Sequence, residues 1–166
     1  MNSIKIFEQL VQLRGYTILD SKSYLVLNPV NQTRIQFFLC NQEKLDMSYF
    51  YKAYEQLSEN ISHLIFIYNF ATIQIKKLKM YKDILKIEFF HENELRRLLI
   101  GNRLIPKHAQ VDSETRERVI QSFGRDNLPM ILHTDPMVRL YDFEMDSVVQ
   151  IERPDAIYYR LVVSDD

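Results

Sequence analysis

The sequence predicts an α/β N-terminal domain followed by a smaller α+β C-terminal domain with a mixed sheet. Helix-like and strand-like patterns alternate as far as residue 100, which favours an α/β unit. A turn is predicted at Gly101-Asn102, and the alternation of helix-like and strand-like patterns ends there. Short strands separated by turns make up most of the remainder. We therefore expect two domains, over residues 1–95 and 96–166, with the boundary at that turn or slightly before it.

Length and composition indicate an ordinary folded protein. The chain has 166 residues, of which 46% are hydrophobic and 26% charged, and this composition excludes a disordered or fibrous chain. Cys40 is the only cysteine, so an intramolecular disulfide and a thiolate zinc cluster are excluded and a reducing compartment is expected. Because there is neither a secretory leader nor a membrane-spanning apolar run, we expect a soluble intracellular protein. The net charge of −1 does not indicate a nucleic-acid partner.

The first domain begins with a helix and a hairpin. Apolar side chains at three- and four-residue spacing predict a helix over residues 3–14, and Gly15 is placed to end it in a left-handed conformation. Two strand-like runs follow, over residues 24–27 and 34–40. Asparagine and proline between the runs favour turns, so the two strands are expected to form a hairpin.

The rest of the first domain alternates helix and strand. Aromatic and apolar side chains recur at helical spacing over residues 46–59, which predicts an amphipathic helix with an aromatic stripe in the core. Short runs rich in β-branched and aromatic residues predict buried strands over 63–68 and 84–90. A further helix is expected near residues 92–100.

A lysine-rich segment lies between the last two predicted strands. Only Asp83 opposes its positive charge, so the segment can form a local patch that meets phosphates. A solvated helix face is often rich in lysine as well, and this second interpretation stays open. The lysine-rich segment comprises Lys76, Lys77, Lys79, Lys82 and Lys86.

The second domain is predicted to combine one helix with a small sheet. Asp112 can accept hydrogen bonds from the free amides of a first helical turn, and Gly124 is placed to stop the helix that follows. Short strands separated by turns are predicted over residues 130–133, 148–153 and 158–163.

Several motifs of the second domain follow one another over about sixty residues. They are Leu104-Ile105-Pro106-Lys107-His108, Leu128-Pro129, Asp135-Pro136-Met137-Val138-Arg139-Leu140-Tyr141, Val148-Val149 and Tyr159-Arg160-Leu161-Val162-Val163. In this order and spacing they resemble the shared fifth subunit of eukaryotic DNA-directed RNA polymerases, a family that has archaeal members as well. Each motif alone arises by chance in many proteins, whereas the succession is specific.

Two segments upstream extend the resemblance. Residues 88–95 are similar to the family's lead-in to its C-terminal domain, and residues 66–69 are similar to a strand of its N-terminal jaw domain. The archaeal members consist essentially of the C-terminal domain. A chain with a preceding half therefore resembles the eukaryotic form, here with a shortened, jaw-like N-terminal domain.

The resemblance implies a subunit with no active site, no metal and no cofactor. Its C-terminal assembly domain would dock on the largest polymerase subunit, and its jaw would lie beside downstream duplex DNA, with no membrane association and no homo-oligomer. The implied contacts with the DNA backbone are Thr72, Gln74, Lys76, Lys77 and Lys79. The implied subunit-interface residues are Pro106, Lys107, His108, Asp135, Pro136, Arg139 and Tyr141.

Purely structural roles remain open for several of these residues. Asp135-Pro136 could form only a turn, in which the aspartate side chain binds nearby backbone amides. Arg139 and Tyr141 alternate on a predicted strand, where they could form a surface ion pair and a core ring. Thr72 and Gln74 could be solvated loop residues.

The chain departs from the family at two turn positions. Asp142 and Asp146 stand where the family usually has glycine, and aspartate is among the less costly replacements if the turn needs a positive φ. The connection that leads to Leu128 is also shorter than usual. This divergence points to an outlying lineage, such as a virus that encodes its own polymerase. A cellular version is expected in the nucleus, and a cytoplasmic DNA virus would keep it in the cytoplasm or virion.

Two other classes of function are considered, a metal-dependent enzyme and a free adaptor, and the acidic residues and histidines bear on the first. A divalent-metal site could form if Asp142, Glu144 and Asp146 shared one face of a strand. The segment Asp20-Ser21-Lys22 is similar to a motif of metal-dependent nucleases. That motif also needs a second acidic ligand on a neighbouring strand, and none is evident in this chain. The four histidines show no paired ligand spacing, so we predict no metal and no catalysis. The remaining alternative is a free adaptor, similar to a transcription factor, that kept the fold and left the polymerase.

Overall fold

The computed structural model describes residues 3–40, 43–73, 78, 81, 84–99 and 105–164. The chain divides into two compact units, Met1–Ile100 and Gly101–Asp166. The predicted boundary after residue 95 falls inside a helix, and the division lies beyond that helix. The helix stays with the first unit because its residue Glu92 accepts a hydrogen bond of 2.6 Å from the hydroxyl of Ser3.

The first unit contains a five-stranded sheet flanked by helices. The strand order is β1-β2-β3-β4-β5, with antiparallel pairing from β1 to β3 and parallel pairing from β3 to β5. The predicted hairpin and both predicted strands are confirmed, and Gly15 has the expected left-handed φ of 65°. Strand β4 is buried as predicted, whereas β5 is mostly half-buried because it lies at the edge of the sheet. The elements are α1 (Ser3–Leu13), β1 (Thr17–Asp20), β2 (Leu25–Asn28), β3 (Thr33–Cys40), α2 (Met47–Glu55), β4 (Ile61–Tyr68), β5 (Lys86–His91) and α3 (Glu92–Leu99).

Two elements of this unit differ from the sequence prediction. Strand β1 is an addition to the predicted elements, because all four of its residues are exposed and leave no alternation of buried and exposed positions to detect. Helix α2 is shorter than residues 46–59. It begins after Asp46, whose carboxylate accepts a hydrogen bond from the amide of Tyr49, and it ends at Glu55 before the cap residue Gln56.

Aromatic rings fill the core between α2 and the sheet. Phe66 of β4 stacks between Phe38 of β3 and Phe89 of β5, with ring centroids 4.9 and 5.3 Å apart. Phe50 of α2 lies 5.8 Å from the Phe66 ring and is fully buried, which confirms that the aromatic stripe of this helix reaches the core. The paired rings hold the three parallel strands at one depth beneath the helix.

A buried group of charged side chains ties α1 to the last two strands. The guanidinium of Arg14 donates two hydrogen bonds to the Glu88 carboxylate, 3.0 and 2.9 Å long, and His63 Nε2 lies 2.6 Å from the same carboxylate. The side chains of Arg14 and His63 are 1% and 4% exposed. Burial by itself raises the pKa of Glu88, but the charge of Arg14 and the hydrogen bonds from His63 and Arg14 outweigh it and hold that pKa well below its usual range.

Replacing Glu88 tests this buried group. Glu88→Gln is expected to lower the free energy of unfolding by about 3 kcal/mol, because Arg14 keeps its charge in the interior while the carboxylate that it binds is neutralised. Since the folded-state pKa of Glu88 is lowered, its stabilisation is present above its usual pKa and is lost as the pH falls. Urea unfolding should therefore show a constant difference between the two proteins from about pH 7 to about pH 5, and a difference that shrinks as the pH falls below about 4 towards the lowered pKa of Glu88. Glu59→Gln, at an exposed turn, is the control, and an equal loss in both variants would contradict the prediction.

The second unit is a four-stranded mixed sheet with a helix on each face. The strand order is β6-β8-β9-β7, antiparallel except for the parallel pair of β9 and β7, as the predicted mixed sheet requires. The predicted cap by Asp112 and the stop at Gly124 are confirmed. The elements are β6 (Lys107–Gln110), α4 (Ser113–Phe123), a 3-10 turn (Arg125–Asn127), β7 (Met130–Leu132), α5 (Pro136–Tyr141), β8 (Val148–Glu152) and β9 (Ile157–Val163).

Alternation along β8 divides the core of this unit between the two helices. Val148 clusters with Val119 of α4 on one face of the sheet. Val149 and Ile151 cluster with Val138 of α5 on the other face. Both faces of the small sheet are therefore covered, and its edges are β6 and β7.

The predicted strand that carries Arg139 and Tyr141 is wrong. Both residues lie on helix α5, which begins with Pro136 and is capped by the Asp135 carboxylate through a hydrogen bond of 2.8 Å from the amide of Met137. Asp-Pro begins a helix as readily as a turn, because proline has a helical φ and its missing amide would have no partner in the first helical turn. The local sequence therefore does not separate the two outcomes.

The alternative in which Asp142, Glu144 and Asp146 share one face of a strand does not apply, because these residues form a turn. Asp142 ends α5 at a φ of 57° and Asp146 has a φ of 62°, so both adopt the left-handed conformation. A positive φ was the condition under which aspartate is among the less costly replacements for glycine, and both positions meet it. Two arginines brace the turn, since Arg116 donates to the Asp146 carbonyl and Arg125 donates to its carboxylate.

The conformation at Asp142 can be tested with two substitutions at the same position. Asp142→Val is expected to lower the free energy of unfolding by about 1–2 kcal/mol, because a β-branched side chain clashes with the backbone at positive φ. Asp142→Gly is the matched control and is expected to match or exceed the original stability. Thermal unfolding followed by circular dichroism measures both. Equal losses would show that the aspartate side chain, rather than the backbone conformation, matters at this position.

Candidate functional site

Of the DNA-contact candidates, the structure places Thr72. It is exposed and follows β4 by a few residues. Its amide donates a 2.9 Å hydrogen bond to the Leu45 carbonyl, while the Leu45 amide donates a 2.8 Å bond to the carbonyl of Phe70. These bonds fix the backbone on both sides of Ala71. Gln74, Lys76, Lys77 and Lys79 lie outside the described residues.

Thr72 belongs to a loop that starts at the carboxyl edge of the parallel strands. Strands β3, β4 and β5 run in the same direction, so their last residues, Cys40, Tyr68 and His91, lie along one edge of the sheet. In open α/β sheets, ligands bind beyond this edge, because the loops there converge and are free of sheet pairing. The segment that carries Thr72 therefore leaves the sheet on the side where binding sites usually form.

Glu92 organises the start of this loop. Its buried carboxylate accepts hydrogen bonds from the Ser3 hydroxyl at 2.6 Å, the Asn69 side-chain amide at 2.9 Å and the Arg96 guanidinium at 2.5 Å. Burial raises the pKa of this carboxyl, but the three donors together lower it below the usual value, so the group is held as an anion. Asn69 is thereby anchored immediately after β4, which gives the loop a defined exit.

Phe70 stands out at this exit by its exposure. Its side chain is 74% exposed, more than that of any other aromatic residue the structure describes. The sequence pattern alone does not distinguish Phe70 from the buried Phe66 of β4, since only the single polar residue Asn69 separates Phe70 from the apolar run of that strand. Only the tertiary structure shows that this ring points away from the core.

The interface candidates at the start of the second unit have different roles. His108 is buried, and its Nδ1 donates a 2.8 Å hydrogen bond to the Pro106 carbonyl, which shapes the entry to β6. Lys107 is 70% exposed and lies 3.3 Å from the Glu152 carboxylate on the neighbouring strand. Because exposed ion pairs contribute little stability, Lys107 remains available to a partner.

The interface candidates at α5 also divide into residues with a structural role and residues that are exposed. The Asp135 carboxylate caps the helix, so its main role is structural, whereas Pro136 at the first helical position is exposed. Arg139 and Tyr141 are half-buried, and the Tyr141 ring stacks parallel to Phe143 at 5.2 Å.

The sheet brings some of these residues to one side. His108 pairs with Ile151 in the register of β6 and β8, and Ile151 packs on Val138 of α5. His108 and α5 therefore lie on the same face of the sheet. Lys107 pairs with Glu152 and projects from the opposite face, so the candidates do not form one continuous patch.

The nuclease-like motif has a structural explanation. Asp20 ends β1, and its carboxylate accepts hydrogen bonds from the amide of Lys22 at 2.9 Å and the hydroxyl of Ser23 at 2.6 Å. This is an aspartate-centred turn, which uses the lone pairs that a metal would need.

Within the described ranges, no helix is long and apolar enough to cross a membrane.

Comparison with known proteins identifies the second unit. Residues 99–162 match the family described as RNA polymerase Rpb5, C-terminal domain. The chain is also similar to DNA-directed RNA polymerase subunit 5-like protein 1 of Arabidopsis thaliana, with 34% identity over 74 residues. That alignment covers 43% of this chain and 35% of the relative, so the chain spans about a third of the length of the curated relative it matches. Residues 99–162, which make up most of the second unit, are therefore similar to the RNA polymerase Rpb5 C-terminal domain.

Proposed function

We propose that the chain is a non-catalytic subunit of a multisubunit DNA-directed RNA polymerase and acts in transcription. The match of residues 99–162 carries this proposal, because it spans nearly the whole second unit. The hydrogen bonds around Asp20 and the turn at Asp142 and Asp146 also account for the acidic motifs that suggested an enzyme.

The second unit docks on the largest polymerase subunit in this proposal. Exposed Lys107 and Pro136 contact the partner directly, together with Arg139 and Tyr141. His108 and Asp135 act indirectly, by shaping β6 and the start of α5. The edge strand β7 supports docking further, since Met130 and Leu132 are exposed apolar side chains of the kind that subunit interfaces cover.

The first unit forms part of a shortened jaw beside downstream duplex DNA. Thr72 lies at the carboxyl edge of the parallel strands, and the lysine-rich segment follows it in the sequence. Lysines bind phosphates through charge, which positions a duplex without reading its bases. A subunit that supports the path of DNA needs this kind of contact.

Affinity purification tests the subunit assignment. The tagged chain, isolated from its native source in moderately high salt, is expected to retain two very large subunits in equal amount. Lys107→Ala should reduce this retention, and Lys5→Ala, at an exposed position of α1, is the control. Recovery of the chain alone or with unrelated partners would instead favour a free adaptor, and DNA cleavage in magnesium would favour a nuclease.

Salt titration tests the DNA contact. Replacing Lys76, Lys77 and Lys79 with alanine should weaken binding of the chain to a short duplex and lower the slope of log affinity against log salt by about 0.9 for each phosphate that is no longer bound. Fluorescence anisotropy between about 50 and about 200 mM salt measures both quantities.

A charge-matched variant controls for net charge. Lys5, Lys22 and Arg34, which are exposed in the first unit and do not adjoin the contact between Leu45 and residues 70–72, are replaced with alanine together. If this variant loses as much affinity as the first, binding depends only on total charge and the assigned contact is wrong.

A further inference from the structure

The two edge strands of the second sheet expose different kinds of side chain. On β7, Met130 is 57% exposed and Leu132 is 49% exposed, whereas Ile131 between them is buried. On β6, the exposed side chains are those of Lys107 and Gln110. Charged and polar side chains discourage another strand from pairing with an edge, and exposed apolar side chains favour it. Strand β7 is therefore the edge of this sheet that is suited to a further strand.

The backbone of β7 points alternately towards β9 and away from it. The Pro129 carbonyl accepts a 2.9 Å hydrogen bond from β9, and the His133 amide donates a 2.8 Å bond to β9. In a parallel pair, residues two positions apart point the same way, so Ile131 also faces β9 in this register. The amides and carbonyls of Met130 and Leu132 consequently point to the free edge of the sheet.

The outward carbonyls of β7 are bonded within the unit, whereas its outward amides are not. The Met130 carbonyl accepts a 3.3 Å hydrogen bond from the Arg160 guanidinium, and the Leu132 carbonyl accepts a 2.9 Å bond from the amide of Asp135. Among the residues that the structure describes, no group accepts from the amides of Met130 and Leu132. The free edge therefore presents two hydrogen-bond donors, two residues apart, beside acceptors that are already bonded.

This arrangement determines what kind of group can bind at the edge. Alternate residues of an extended backbone point their carbonyls the same way at a repeat of about 6.6 Å, which is also the spacing of two amides two residues apart in β7. A second copy of β7 does not supply such acceptors, because its own outward carbonyls are bonded to Arg160 and Asp135 in the same way. The occupant is therefore an extended segment of a different chain, whose carbonyls are open.

The side chains of β7 add a requirement for the occupant. Met130 pairs with Leu161, which clusters with Val119 of α4, so Met130 and Leu132 lie on the side of the sheet that α4 covers. Side chains of an added strand would lie beside them on the same side. An apolar side chain there would remove the exposed surface of Met130 and Leu132 from water, which favours association.

We propose that β7 binds an extended apolar segment of another polymerase subunit, which joins the sheet as a fifth strand and accepts hydrogen bonds from the amides of Met130 and Leu132. This inference rests on the proposed function, in which the second unit docks within a polymerase. Strand addition of this kind gains affinity from main-chain hydrogen bonds and specificity from alternate side chains. It also accounts for two apolar side chains on an edge that has no charged side chain of its own.

Proline and alanine at one position separate the outward amide from the side chain. Leu132→Ala removes the apolar side chain and keeps the amide, whereas Leu132→Pro removes both. An edge strand tolerates proline where its amide faces outward, so the bonds of Pro129 and His133 to β9 are expected to persist in both variants. Leu132→Pro is expected to bind the polymerase about fivefold more weakly than Leu132→Ala, the effect of losing one hydrogen bond.

Competition within cells of the native source measures this difference. Each variant is expressed together with the original chain under a different tag, and the ratio of the two chains in the purified polymerase gives their relative affinity. Thermal unfolding of the isolated variants, followed by circular dichroism, checks that both keep the fold.

Hydrogen exchange of the unmodified chain provides a second test that does not depend on a variant's folding. In the isolated chain the amides of Met130 and Leu132 should exchange fast, while the amide of Ile131 is protected by β9. In the purified polymerase all three amides should be protected. Mass spectrometry with fragmentation of the peptide resolves the three positions.

The outcomes separate this inference from the proposed function beneath it. If the original chain retains the two very large subunits but Leu132→Pro competes as well as Leu132→Ala and both outward amides still exchange fast, the subunit assignment stands and strand addition is wrong. If the outward amides become protected when the isolated chain is concentrated and the chain sediments as a dimer, the occupant is a second copy and the inference is overturned. If the chain is recovered without the large subunits, the proposed function and the polymerase source of the added strand are both overturned.

Discussion

Glu88 on the last strand of the first sheet binds Arg14, 74 residues earlier, through both carboxylate oxygens. A buried charge is tolerated only with its partner in place, so this pair requires the end of α1 to lie against β5. His63 joins the same carboxylate from β4. The group therefore supports the parallel arrangement of β4 and β5, and that arrangement places the last residues of both strands at one edge. The loop with Thr72 and Phe70 starts from this edge, so the geometry of the candidate site depends on charges buried below it.

The second unit contains a turn, between α5 and β8, that needs two left-handed residues and uses aspartate for both, Asp142 and Asp146. Aspartate adopts that conformation at moderate cost, and the arginines that bind Asp146 offset part of it. Conformation rather than residue identity is what the turn requires.

Exposure separates residues that shape a surface from residues that can contact a partner. Asp135 and His108 direct their polar atoms to nearby backbone groups, so they determine where α5 and β6 begin. Lys107 and Phe70 extend into solvent from backbone that is fixed by sheet pairing or by a bridge. Substituting Asp135 or His108 would affect binding indirectly, through the local fold. Substituting Lys107 or Phe70 would affect it directly. Motif resemblance alone groups Lys107, His108 and Asp135 together, because it carries no information on where a side chain points.

The sequence by itself determined the features that local chemistry controls. The cap at Asp112, the helix ends at Gly15 and Gly124, the main hairpin and the motif order of the second domain follow from residues close together in the chain. Only the tertiary structure decided the rest. It placed the Arg14 and Glu88 pair, added the exposed strand β1, made α5 a helix after Asp135 and turned Phe70 outward. Each of these four features depends on burial or on partners distant in the chain, and local backbone preference contains no information about either.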